Sequence, residues 1–588
     1  MLLGQEAIIG TLDIAVFIVF VTVVVAMGLI KSGGSKSPEG ESENKTENYF
    51  LAGRGLTWWL VGFSLIAANI STEQFVGMSG KSADWVGMAI ASYEWIAAIT
   101  LVGVAFIFLP KFLKAGIYTI PEFLERRYGG FSRTIMAVAT MIILVGVPTA
   151  SVIFSGAKVV SVFFAGTPIL GDLTIACYLI AALAAVYVFI GGLKACAWTD
   201  LVWGASLILG GAVVMYLAFG ELEARPAAEL YETRVETSSV TVEQLEQASG
   251  WERFKLLNEG EAKDGPNGSG GKLHMVRPKA DKEIPWTALI IGIWIPNFFY
   301  WGLNQYIMQR TLGSKSLAEG QKGIVFAAFL KLLIPFVVVI PGILAYNLFR
   351  ADLRTWAIDR NAETIAMSAP GLYETLSDVM KPDPTDAQRQ QSVDRITRAL
   401  EKAKAADADN EPSFFSFPAD FVALFPEDAA LILRHNLSSL TAAGGQAPVF
   451  DDTSVPTIHE QNEQVIAALE SFKQESQSKI ADPASLSTRD YDAAFPVLLV
   501  NLLGGKQLLP GLVLAAIFGA VVSSLASMLN SASTIATMDI YRKIRPGASH
   551  GEYVGAGRFF VVTFVVIAAM IAPGLGNPKY GGIFTFIQ

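Results

Sequence analysis

The sequence predicts an all-α polytopic membrane protein, and three observations lead to that fold class. The 588-residue chain is 52% hydrophobic and has a mean hydropathy of +0.44. Only 16% of its residues are charged, whereas a soluble domain has about 25%. Ten segments are long and apolar enough to cross a bilayer, which takes ~20 residues. These properties exclude a soluble enzyme, a disordered chain and a basic nucleic-acid-binding protein.

The predicted spans must be helical, because the lipid core offers no hydrogen-bond partner to free backbone groups. Their approximate bounds are Thr11–Ile30, Trp58–Met78, Gly87–Leu109, Thr134–Phe164, Leu173–Ile190, Ala195–Phe219, Trp286–Met308, Ile324–Phe349, Leu508–Met538 and Arg558–Ile571. An eleventh span begins near Gly582, and the sequence stops inside it at Gln588. The first span lacks a basic n-region and a small-residue cleavage site, so we do not interpret it as a cleaved signal peptide.

The distribution of Lys and Arg predicts the orientation of the chain. No basic residue occurs in residues 1–13, and the basic loops, taken alternately, all fall on one side. We expect that side to be cytoplasmic, so that the amino terminus and the long polar segments 221–283 and 350–506 lie outside. The basic residues assigned to the cytoplasmic side are Lys31, Lys36, Lys111, Lys114, Arg126, Arg127, Arg133, Lys194, Arg310, Lys315, Lys322, Arg542, Lys543, Arg545 and Arg558.

The two outer segments differ in composition from the spans. The first contains "GPNGSGG" at 265–271, which is typical of a flexible loop. The second contains two predicted helices, near Asp386–Ala405 and Ile458–Ser478. We interpret it as an acidic, solvated insertion without separate activity; the alternative is a small helical cap over the outer face. We find no nucleotide-binding loop, paired-cysteine metal spacing or nucleophile elbow, so we predict no catalytic residue and no enzyme.

Five ionisable residues lie within predicted spans, where a charge is costly unless it faces a cavity or a partner. Lys158 lies toward the outer end of its helix and can extend to the interface. Asp200 is either an interfacial cap or a site. Glu94, in "ASYEWIAAIT", and Lys331, in "VFAAFLKLLIPF", are flanked by apolar residues on both sides. They form either a structural ion pair or, as we prefer, part of a wet binding cavity; the fifth residue is Glu73.

Two spans carry polar residues that interrupt their apolar sequence. The second reads "SLIAANISTEQFVGMSG" and the seventh "GIWIPNFFYWGLNQYIMQR", with Pro296 removing a backbone hydrogen bond. Each is the first helix of a run of about five. Broken helices at corresponding places in two halves indicate a transporter binding site; the alternative is two helices kinked for packing. The polar residues concerned are Asn69, Ser71, Glu73, Gln74, Asn297, Tyr300 and Asn304.

The ninth span contains "AVVSSLASMLNSAST". Its small residues allow close helix packing in a membrane, which alone would explain most of the serines. The adjacent hydroxyls of Ser523 and Ser524 could also supply hard oxygen ligands to sodium, without any carboxylate.

Five segments carry a family resemblance: "YFLAGRGLTWWLVGFSLIAANISTEQFVGMSG", "GIYTIPEFLERRY", "GGLKACAWTD", "YWGLNQYIMQRTL" and "SSLASMLNSASTIATMDIY". They resemble the sodium/solute symporter family, and most closely its bacterial sodium/galactose and sodium/glucose symporters. The resemblance covers nearly all of residues 48–588 except the two outer segments. Matches of this length and order are specific for the family and less so for the substrate.

The resemblance implies a fold of five plus five helices in an inverted repeat, preceded by one extra helix. We expect the chain to be truncated within the tenth core helix. The implied division is: 1–57, extra helix and cytoplasmic loop; 58–220, core helices 1–5; 221–283, outer loop; 284–349, core helices 6–7; 350–506, large outer insertion; 507–588, core helices 8–9 and the start of 10.

The resemblance also implies the site residues. Sodium in the family is bound between the broken first core helix and the eighth, which here matches the carbonyls of Ala67, Ile70 and Ala520 and the hydroxyls of Ser523 and Ser524. The sugar ligands map onto Gln74, Glu94, Asn297, Lys331 and Gln588. The gating residues map onto Tyr300, Asn69, Met78, Tyr93 and Phe584, and the ion exit path onto Asp200.

These residues predict a sodium-coupled secondary active symporter of the bacterial inner membrane that imports a sugar by alternating access. Its partners are then a small-molecule substrate, expected to be a monosaccharide, together with Na⁺ and the lipid bilayer, and not nucleic acid. Two alternatives stay open: a sodium symporter for an amino acid, an inositol or a nucleoside, and a sensor that keeps the transporter fold. The amides and the Glu94–Lys331 pair favour a neutral polyol, because every hydroxyl both donates and accepts.

Overall fold

The structure, a computed structural model, describes residues 10–33, 45–164, 172–261, 268–384, 389–450, 455–476 and 480–576. It is mostly helical. Within these residues seven helices are long and apolar enough to cross a membrane: Thr11–Ser32, Gly87–Ala115, Gly130–Ser161, Leu173–Ala224, Leu317–Ser368, Leu509–Ile544 and His550–Leu575. Shorter apolar helices cover Trp58–Asn69, Ala288–Gly302 and Tyr491–Leu503. The chain is therefore a multi-pass membrane protein.

The α-helices are labelled in chain order. Before the first long loop they are α1 (Thr11–Gly33), α2 (Lys45–Leu51), α3 (Trp58–Asn69), α4 (Ser79–Ala83), α5 (Ser92–Gly103), α6 (Leu109–Ala115), α7 (Ile120–Tyr128), α8 (Gly130–Leu144), α9 (Ala150–Phe163) and α10 (Leu173–Ala224). The loop and the following spans contain α11 (Ala227–Tyr231), α12 (Val242–Gln247), α13 (Gly250–Asn258), α14 (Trp294–Gly302), α15 (Gln305–Leu312), α16 (Leu317–Val337) and α17 (Val339–Ser368).

The remaining helices belong to the large insertion, which we define as residues 350–506, and to the last spans. They are α18 (Pro370–Thr375), α19 (Gln390–Ala405), α20 (Ala419–Leu424), α21 (Pro426–Ala442), α22 (Val455–Ser476), α23 (Ala494–Leu503), α24 (Leu509–Ile535), α25 (Arg542–Ile544) and α26 (His550–Ile571). Strands β1 (Phe415–Ser416) and β2 (Ala484–Ser485) pair in parallel.

Short π-helical and 3₁₀ segments interrupt or extend the spans. The π-helical segments are Gln74–Met78, Val104–Phe108, Val145–Thr149, Ala288–Gly292 and Ala536–Tyr541. The 3₁₀ segments are Ala52–Arg54, Gly87–Ala91, Asp378–Met380, Ala408–Asn410, Tyr491–Ala493 and Ala572–Gly576. Five π-helical segments within the described ranges are many, because π-helix is rare and occurs mostly as single-turn bulges, often at functional sites.

The 52-residue helix α10 contains two of the predicted spans, which meet at Gly192. Gly192 has φ 53° and ψ −155°, a conformation that strains any residue with a Cβ. A Cβ there would also clash with the backbone carbonyl of Tyr49. The glycine thus lets the chain leave one helix and enter the next beside α2.

Helix α24 lies at the centre of the membrane-spanning part. In the most apolar 18-residue stretch of the span Leu509–Ile544, 94% of the residues are buried. The corresponding share for the first span, Thr11–Ser32, is 17%. It packs against α10, α1, α26, α9 and α3. Small residues make this possible: a Cβ at Gly519 would clash with the buried ring of Trp203 on α10. Such close approach of helices is how small residues stabilise membrane bundles.

The predicted interruption of the second span is confirmed. Helix α3 ends at Asn69, and Ile70 has extended backbone angles, φ −83° and ψ 111°. The chain then re-enters a helical conformation and continues as the π-helical segment Gln74–Met78. The last carbonyls of α3 are consequently released from helical hydrogen bonding near the middle of the bundle.

The predicted interruption of the seventh span is present. Pro296 follows the π-helical segment Ala288–Gly292 and the turn at Ile293, and it has no N–H to bond back to that segment. The backbone leaves the helix again at Leu303 and Asn304. The Asn304 side chain then accepts a hydrogen bond from the Tyr306 amide, 3.4 Å away, which caps the start of α15.

The large insertion has a hydrophobic core of its own. Its buried residues include Phe415, Phe421, Ile432 and Leu440, and they form a cluster separate from that of the membrane-spanning part. The two helices predicted there are present as α19 and α22. The insertion contacts the spans through α23, which packs against α4 and the segment Gln74–Met78.

The loop between α10 and α14 also packs onto the spans. The Met88 amide donates to the Lys272 carbonyl at 2.7 Å, and Arg277 donates to the carbonyl of Trp85 at 2.7 Å. The Lys272 ammonium is buried, donates to the Ala83 and Asp84 carbonyls, and lies 3.8 Å from the centroid of the Tyr346 ring. Hydrogen bonds from Lys272 and Arg277 of this loop thereby hold the backbone of residues 83–88 in place.

Candidate functional site

The broken end of α3 faces α24. The Ser524 hydroxyl on α24 lies 3.0 Å from the carbonyl oxygen of Ala68 and 3.5 Å from that of Ala67. Ala67, Ile70 and Ala520, the carbonyl ligands predicted from the resemblance, are all buried. Helix-end carbonyls and a hydroxyl are hard oxygen donors, which suit a sodium ion. The structure therefore brings a set of potential cation ligands from two helices to one place.

The Ser523 hydroxyl points to another partner. It donates to Asp200 Oδ1 at 2.6 Å, while the Ser64 hydroxyl donates to Asp200 Oδ2 at 2.5 Å. Asp200, Ser64 and Ser523 are fully buried. Asp200 is thus not an interfacial cap, because it links α3, α10 and α24 in the interior of the protein. The Asp200 carboxylate is therefore bonded to Ser523, the residue of α24 that directly precedes the candidate cation ligand Ser524.

Arg310 completes this cluster, and sequence reasoning missed it. Its guanidinium is fully buried, lies 3.5 Å from Asp200 Oδ2 and donates to the Ser64 hydroxyl at 2.7 Å. It also donates to the Ser527 hydroxyl and to the Tyr306 carbonyl. From its place after the seventh predicted span, Arg310 is expected in a loop on the cytoplasmic side. The helical pattern of α15, which places Arg310 on a face shared with Tyr306, was the available signal.

Tyr300 lies at the other end of the same network. Its hydroxyl accepts a hydrogen bond from Asn69 Nδ2 at 2.8 Å and is hydrogen-bonded to the hydroxyl of Tyr306. Its ring packs edge-on against Trp301, with centroids 5.1 Å apart. Tyr306 bonds Tyr300 through its hydroxyl and Arg310 through its backbone carbonyl, so Tyr306 and Arg310 connect Tyr300 to Asp200.

Glu94 and Lys331 form an ion pair. The Lys331 ammonium contacts Glu94 Oε2, and both side chains are buried, with 1% and 5% of their surfaces exposed. The ammonium also lies 5.2 Å from the centroid of the Trp301 ring. The pair joins α5 to α16 beside the ring that packs on Tyr300. Breaking such a pair is costly, whereas a polar solute could exchange hydrogen bonds with both groups.

The other predicted substrate and gate residues have these positions. Gln74 Oε1 accepts from the Ser71 amide at 2.7 Å, which orients the side chain within the break. Asn297, on α14, is buried and donates to the Ile293 carbonyl at 2.9 Å. Met78 is buried and Tyr93 is partly buried. Phe584 and Gln588 lie outside the described residues.

No group of three or more His, Cys, Asp or Glu side chains suitable for a metal occurs among the described residues. A site built from several carboxylates, as calcium prefers, is therefore not present in that part of the chain. The candidate donors near Ser524 are carbonyls and hydroxyls, which is consistent with a monovalent ion.

Comparison with known proteins identifies a family. The profile described as "Sodium:solute symporter family" matches residues 49–377 and 477–588. The matched residues include α3, α10, α15 and α24, and therefore the polar clusters around Ser524, Asp200 and Tyr300. The profile leaves out residues 378–476, which form most of the large insertion.

Three curated relatives illustrate the similarity. A sodium/glucose cotransporter of Vibrio parahaemolyticus is 33% identical over 584 residues, covering 98% of this chain and 77% of the relative. Sodium/glucose cotransporter 1 of Ovis aries is 25% identical, covering 100% of this chain and 66% of the relative. Sodium/myo-inositol cotransporter 2 of Homo sapiens is 26% identical, covering 98% and 63%. The chain thus spans about two thirds of its animal relatives.

A solved structure has the same overall fold. It is the substrate-bound, outward-open state of a Na⁺-coupled sialic acid symporter, with a TM-score of 0.57 and 17% sequence identity. The match covers 96% of this chain and 82% of the other. At that identity the likeness concerns the fold alone.

Proposed function

The chain belongs to the sodium:solute symporter family, and we propose that it is a sodium-coupled secondary active symporter that imports a sugar by alternating access. The inverted repeat of five plus five helices is part of this proposal. It accounts for two interrupted helices, α3 with its continuation and α14 with α15, at corresponding places in two halves of the sequence.

The observation that carries the proposal is the contact between Ser524 and the last carbonyls of α3. The ligands proposed for sodium are the carbonyls of Ala67, Ile70 and Ala520 and the hydroxyls of Ser523 and Ser524. Ser523 donates its proton to Asp200 in this structure, which leaves the lone pairs of its oxygen available to an ion. Asp200 is the acidic group proposed to receive sodium on its exit path.

The proposed substrate ligands are Gln74, Glu94, Asn297, Lys331 and Gln588. The first four carry amide or charged groups, and a sugar hydroxyl can both donate to and accept from such groups. A flat aromatic ring covers the apolar C–H face of a pyranose, while polar groups satisfy its rim. Tyr300 is proposed to be that ring, and Met78, Tyr93 and Phe584 the outer gate.

The gate and the ion site share helix α3. Asn69, the last residue of α3, donates to Tyr300, while Ala67 and Ala68 present their carbonyls to Ser524. When the ion leaves, these carbonyls no longer bind a cation and can move, and Asn69, which follows them in the chain, moves with them. Loss of sodium is therefore expected to loosen Tyr300 and release the solute.

The free energy of sodium entry is large enough to drive accumulation of the solute. A membrane potential contributes ~2.3 kcal/mol per charge per 100 mV, and ~1.4 kcal/mol corresponds to a tenfold ratio. One sodium ion therefore supports roughly a forty-fold solute gradient at 100 mV, before its own concentration gradient is added. We place the protein in the bacterial inner membrane with its amino terminus outside, on the distribution of Lys and Arg.

A second candidate substrate is a cyclic polyol. The similarity to a sodium/myo-inositol cotransporter favours it, and the same amides and charges would satisfy its hydroxyls.

The test is solute uptake by the purified protein in proteoliposomes. We expect an inward Na⁺ gradient, and not an equal K⁺ gradient, to drive uptake of one member of a panel of labelled galactose, glucose, myo-inositol, sialic acid and proline. Dissipating the membrane potential is expected to reduce the accumulation. Uptake that is the same in K⁺, or that is confined to proline, would contradict the proposal.

A further inference from the structure

A groove of about 510 Å³ opens on the apolar outer surface of the spans, at the start of α16. Its walls are Trp58 of α3, Phe106 of the π-helical segment Val104–Phe108, and the face of α16 that carries Val325 and Phe329. These side chains are exposed, Phe106 by 59% and Phe329 by 56%. The volume is in the range of small-molecule sites, about 300–1,000 Å³, and the proposed transport cycle does not use the groove.

Close packing of helices makes the groove a fixed feature of the fold. A Cβ at Gly323 on α16 would lie 2.8 Å from the Trp58 carbonyl oxygen, and one at Gly320 would lie 2.8 Å from Leu109 Cδ2 on α6. The Phe326 ring packs edge-on against Trp58, with centroids 5.2 Å apart. Because small residues hold the helices together, the groove exists before an occupant binds.

Lys322 lies in this groove and brings a charge to it. Its side chain is exposed, and it has no acidic partner within 4.0 Å among the described residues, whereas Lys543 pairs with Glu125. Glu319, one turn before Lys322, accepts a hydrogen bond from the Trp58 amide at 2.8 Å. The Lys322 ammonium is therefore available to a ligand from outside the chain.

The charged and apolar parts of the groove follow one face of α16. Lys322, Val325 and Phe329 have the three- and four-residue spacing of neighbours on a helix surface. The helix rises roughly 10 Å from the first of them to the last. Trp58, the first residue of α3, lines the same groove, and Trp is enriched where spans meet the membrane surface. The charge thus lies toward the surface of the bilayer, and the apolar stripe runs into its hydrocarbon layer.

An anionic phospholipid has the matching chemistry. Its phosphate lies at the membrane surface, where a Lys ammonium binds it as a point charge, and its acyl chains run along apolar side chains. Further exposed lysines occur on the same side: Lys315 precedes α16, and Lys111 and Lys114 are on α6, which packs on α16 at Gly320. Basic pockets between spanning helices bind anionic head groups in this way. A zwitterionic head group would bring its own cation toward these lysines.

We propose that the groove binds one anionic phospholipid, with its phosphate at Lys322 and one acyl chain along Val325 and Phe329. The inference goes beyond the proposed function, because the site shares no residue with the ion and solute ligands and does not require transport. Its walls nevertheless belong to α3, whose last carbonyls contact Ser524, and to α16, which carries Lys331. A bound lipid therefore stabilises the arrangement of these two helices.

The test is the melting temperature of the delipidated full-length chain in detergent, titrated with phosphatidylglycerol or with phosphatidylcholine of the same acyl chains. A ligand of the folded state raises the melting temperature. We expect phosphatidylglycerol to bind about fivefold more tightly than phosphatidylcholine. Lys322→Gln is expected to make the two lipids equivalent, and Val325→Trp, which fills the groove, to weaken both. Val562→Trp, at an exposed valine of α26, is the matched control and should titrate as the wild type does.

The contrary outcomes are distinct. Equal stabilisation of the wild type by both lipids, or a preference for phosphatidylglycerol that persists in Lys322→Gln, would refute the site. An equal shift with glycerol 3-phosphate, which carries the charge without an acyl chain, would refute the role of the groove. A dimer in light scattering that Val325→Trp dissociates would show that a second copy of the chain occupies the groove instead. None of these measurements depends on sodium, so the proposed function is tested separately.

Discussion

The membrane-spanning part and the large insertion bury polar groups of different kinds. In the insertion, Asn436 and Asn462 are buried, and their amides bond each other and the backbone of Phe415. In the membrane-spanning part the buried groups include charges: Asp200 with Arg310, and Glu94 with Lys331. The insertion uses neutral amides to hold strand β1, and its buried carboxylates Asp359 and Asp490 pair with the more exposed arginines Arg389 and Arg360. The spans instead bury both members of each of these two ion pairs.

The physical reason lies in the solvent. Water drives apolar side chains of the insertion together, and its buried amides satisfy backbone groups that the core would otherwise leave unbonded. Lipid supplies no comparable force between helices, and a buried ion pair contributes little to stability compared with apolar residues of the same size. Charges inside the spans are therefore better explained by transport than by folding.

The largest expected effect comes from removing one charge of the Asp200 cluster. Arg310→Met leaves Asp200 buried and uncompensated, which costs about 3–5 kcal/mol. We expect the detergent-solubilised variant to melt well below the wild type. The double variant Asp200→Asn, Arg310→Met removes both charges and is expected to recover most of that loss while still failing to transport. If the single variant melts like the wild type, the pair is not charged as described.

A core substitution in the insertion is expected to be nearly as costly but local. Leu440 is fully buried in the separate core, and Leu440→Ala should destabilise the insertion by about 2–5 kcal/mol. We expect faster proteolysis within residues 390–476 and sodium binding within twofold of the wild type. Val449, 92% exposed, gives the control Val449→Ala, which should change neither. Loss of sodium binding in Leu440→Ala would show that the two parts are coupled.

Tyr300 tests whether the interior polar network serves transport. Tyr300→Ala removes the acceptor of Asn69 and the ring contact with Trp301. A buried donor without a partner costs about 1–3 kcal/mol, so we expect solute binding to fall by at least tenfold and uptake to be lost. Tyr300→Phe keeps the ring and should retain binding with a leakier gate. Normal uptake in Tyr300→Ala would mean that the residue only packs.

The loop that covers residues 83–88 offers a pH-dependent test outside the spans. Burial lowers the pKa of Lys272 from 10.5 to about 7, opposed by Asp84 and reinforced by Arg350 and Arg489. Between pH 7 and 10.5 the open loop therefore binds more protons than the closed loop, so closure becomes more stable as pH rises, by up to about 1.4 kcal/mol per pH unit. Below pH 7 both forms are protonated, and the dependence ends.

The measurement is hydrogen exchange of the Met88 amide, which donates to the Lys272 carbonyl, corrected for the intrinsic rate at each pH. Protection is expected to grow from pH 7 to 9 in the wild type. In Lys272→Met, which keeps the apolar stem without the charge, we expect protection to be independent of pH. The same slope in both proteins would contradict the assignment to Lys272.

The smallest expected effect is at Ser524. Ser524→Ala removes one hydroxyl and leaves the carbonyls of Ala67 and Ala68 in place. Loss of one such contact is worth about 1 kcal/mol, so the sodium concentration for half-maximal uptake should rise about fivefold. Ser533→Ala, on the same helix with its hydroxyl bonded to the Asn530 carbonyl, should leave the sodium dependence unchanged. An unaltered sodium dependence in Ser524→Ala would remove this residue from the ion site.

The amino-acid sequence alone determined the class of protein, the approximate position of the spans and the break near Asn69. These follow from composition and local chain chemistry, because a run of apolar residues is helical in lipid wherever the chain takes it. The sequence also marked Glu94, Lys331 and Asp200 as residues that need partners. It also marked Pro296, because proline has no N–H to bond to the preceding turn of a helix.

The partners themselves were decided only by the tertiary structure. Asp200 meets Arg310 across 110 positions of sequence and Ser523 across 323, and no local pattern specifies which helices pack together. Arg310 looked like a loop cation, because hydropathy cannot distinguish a charge at a helix end from one folded back into the bundle.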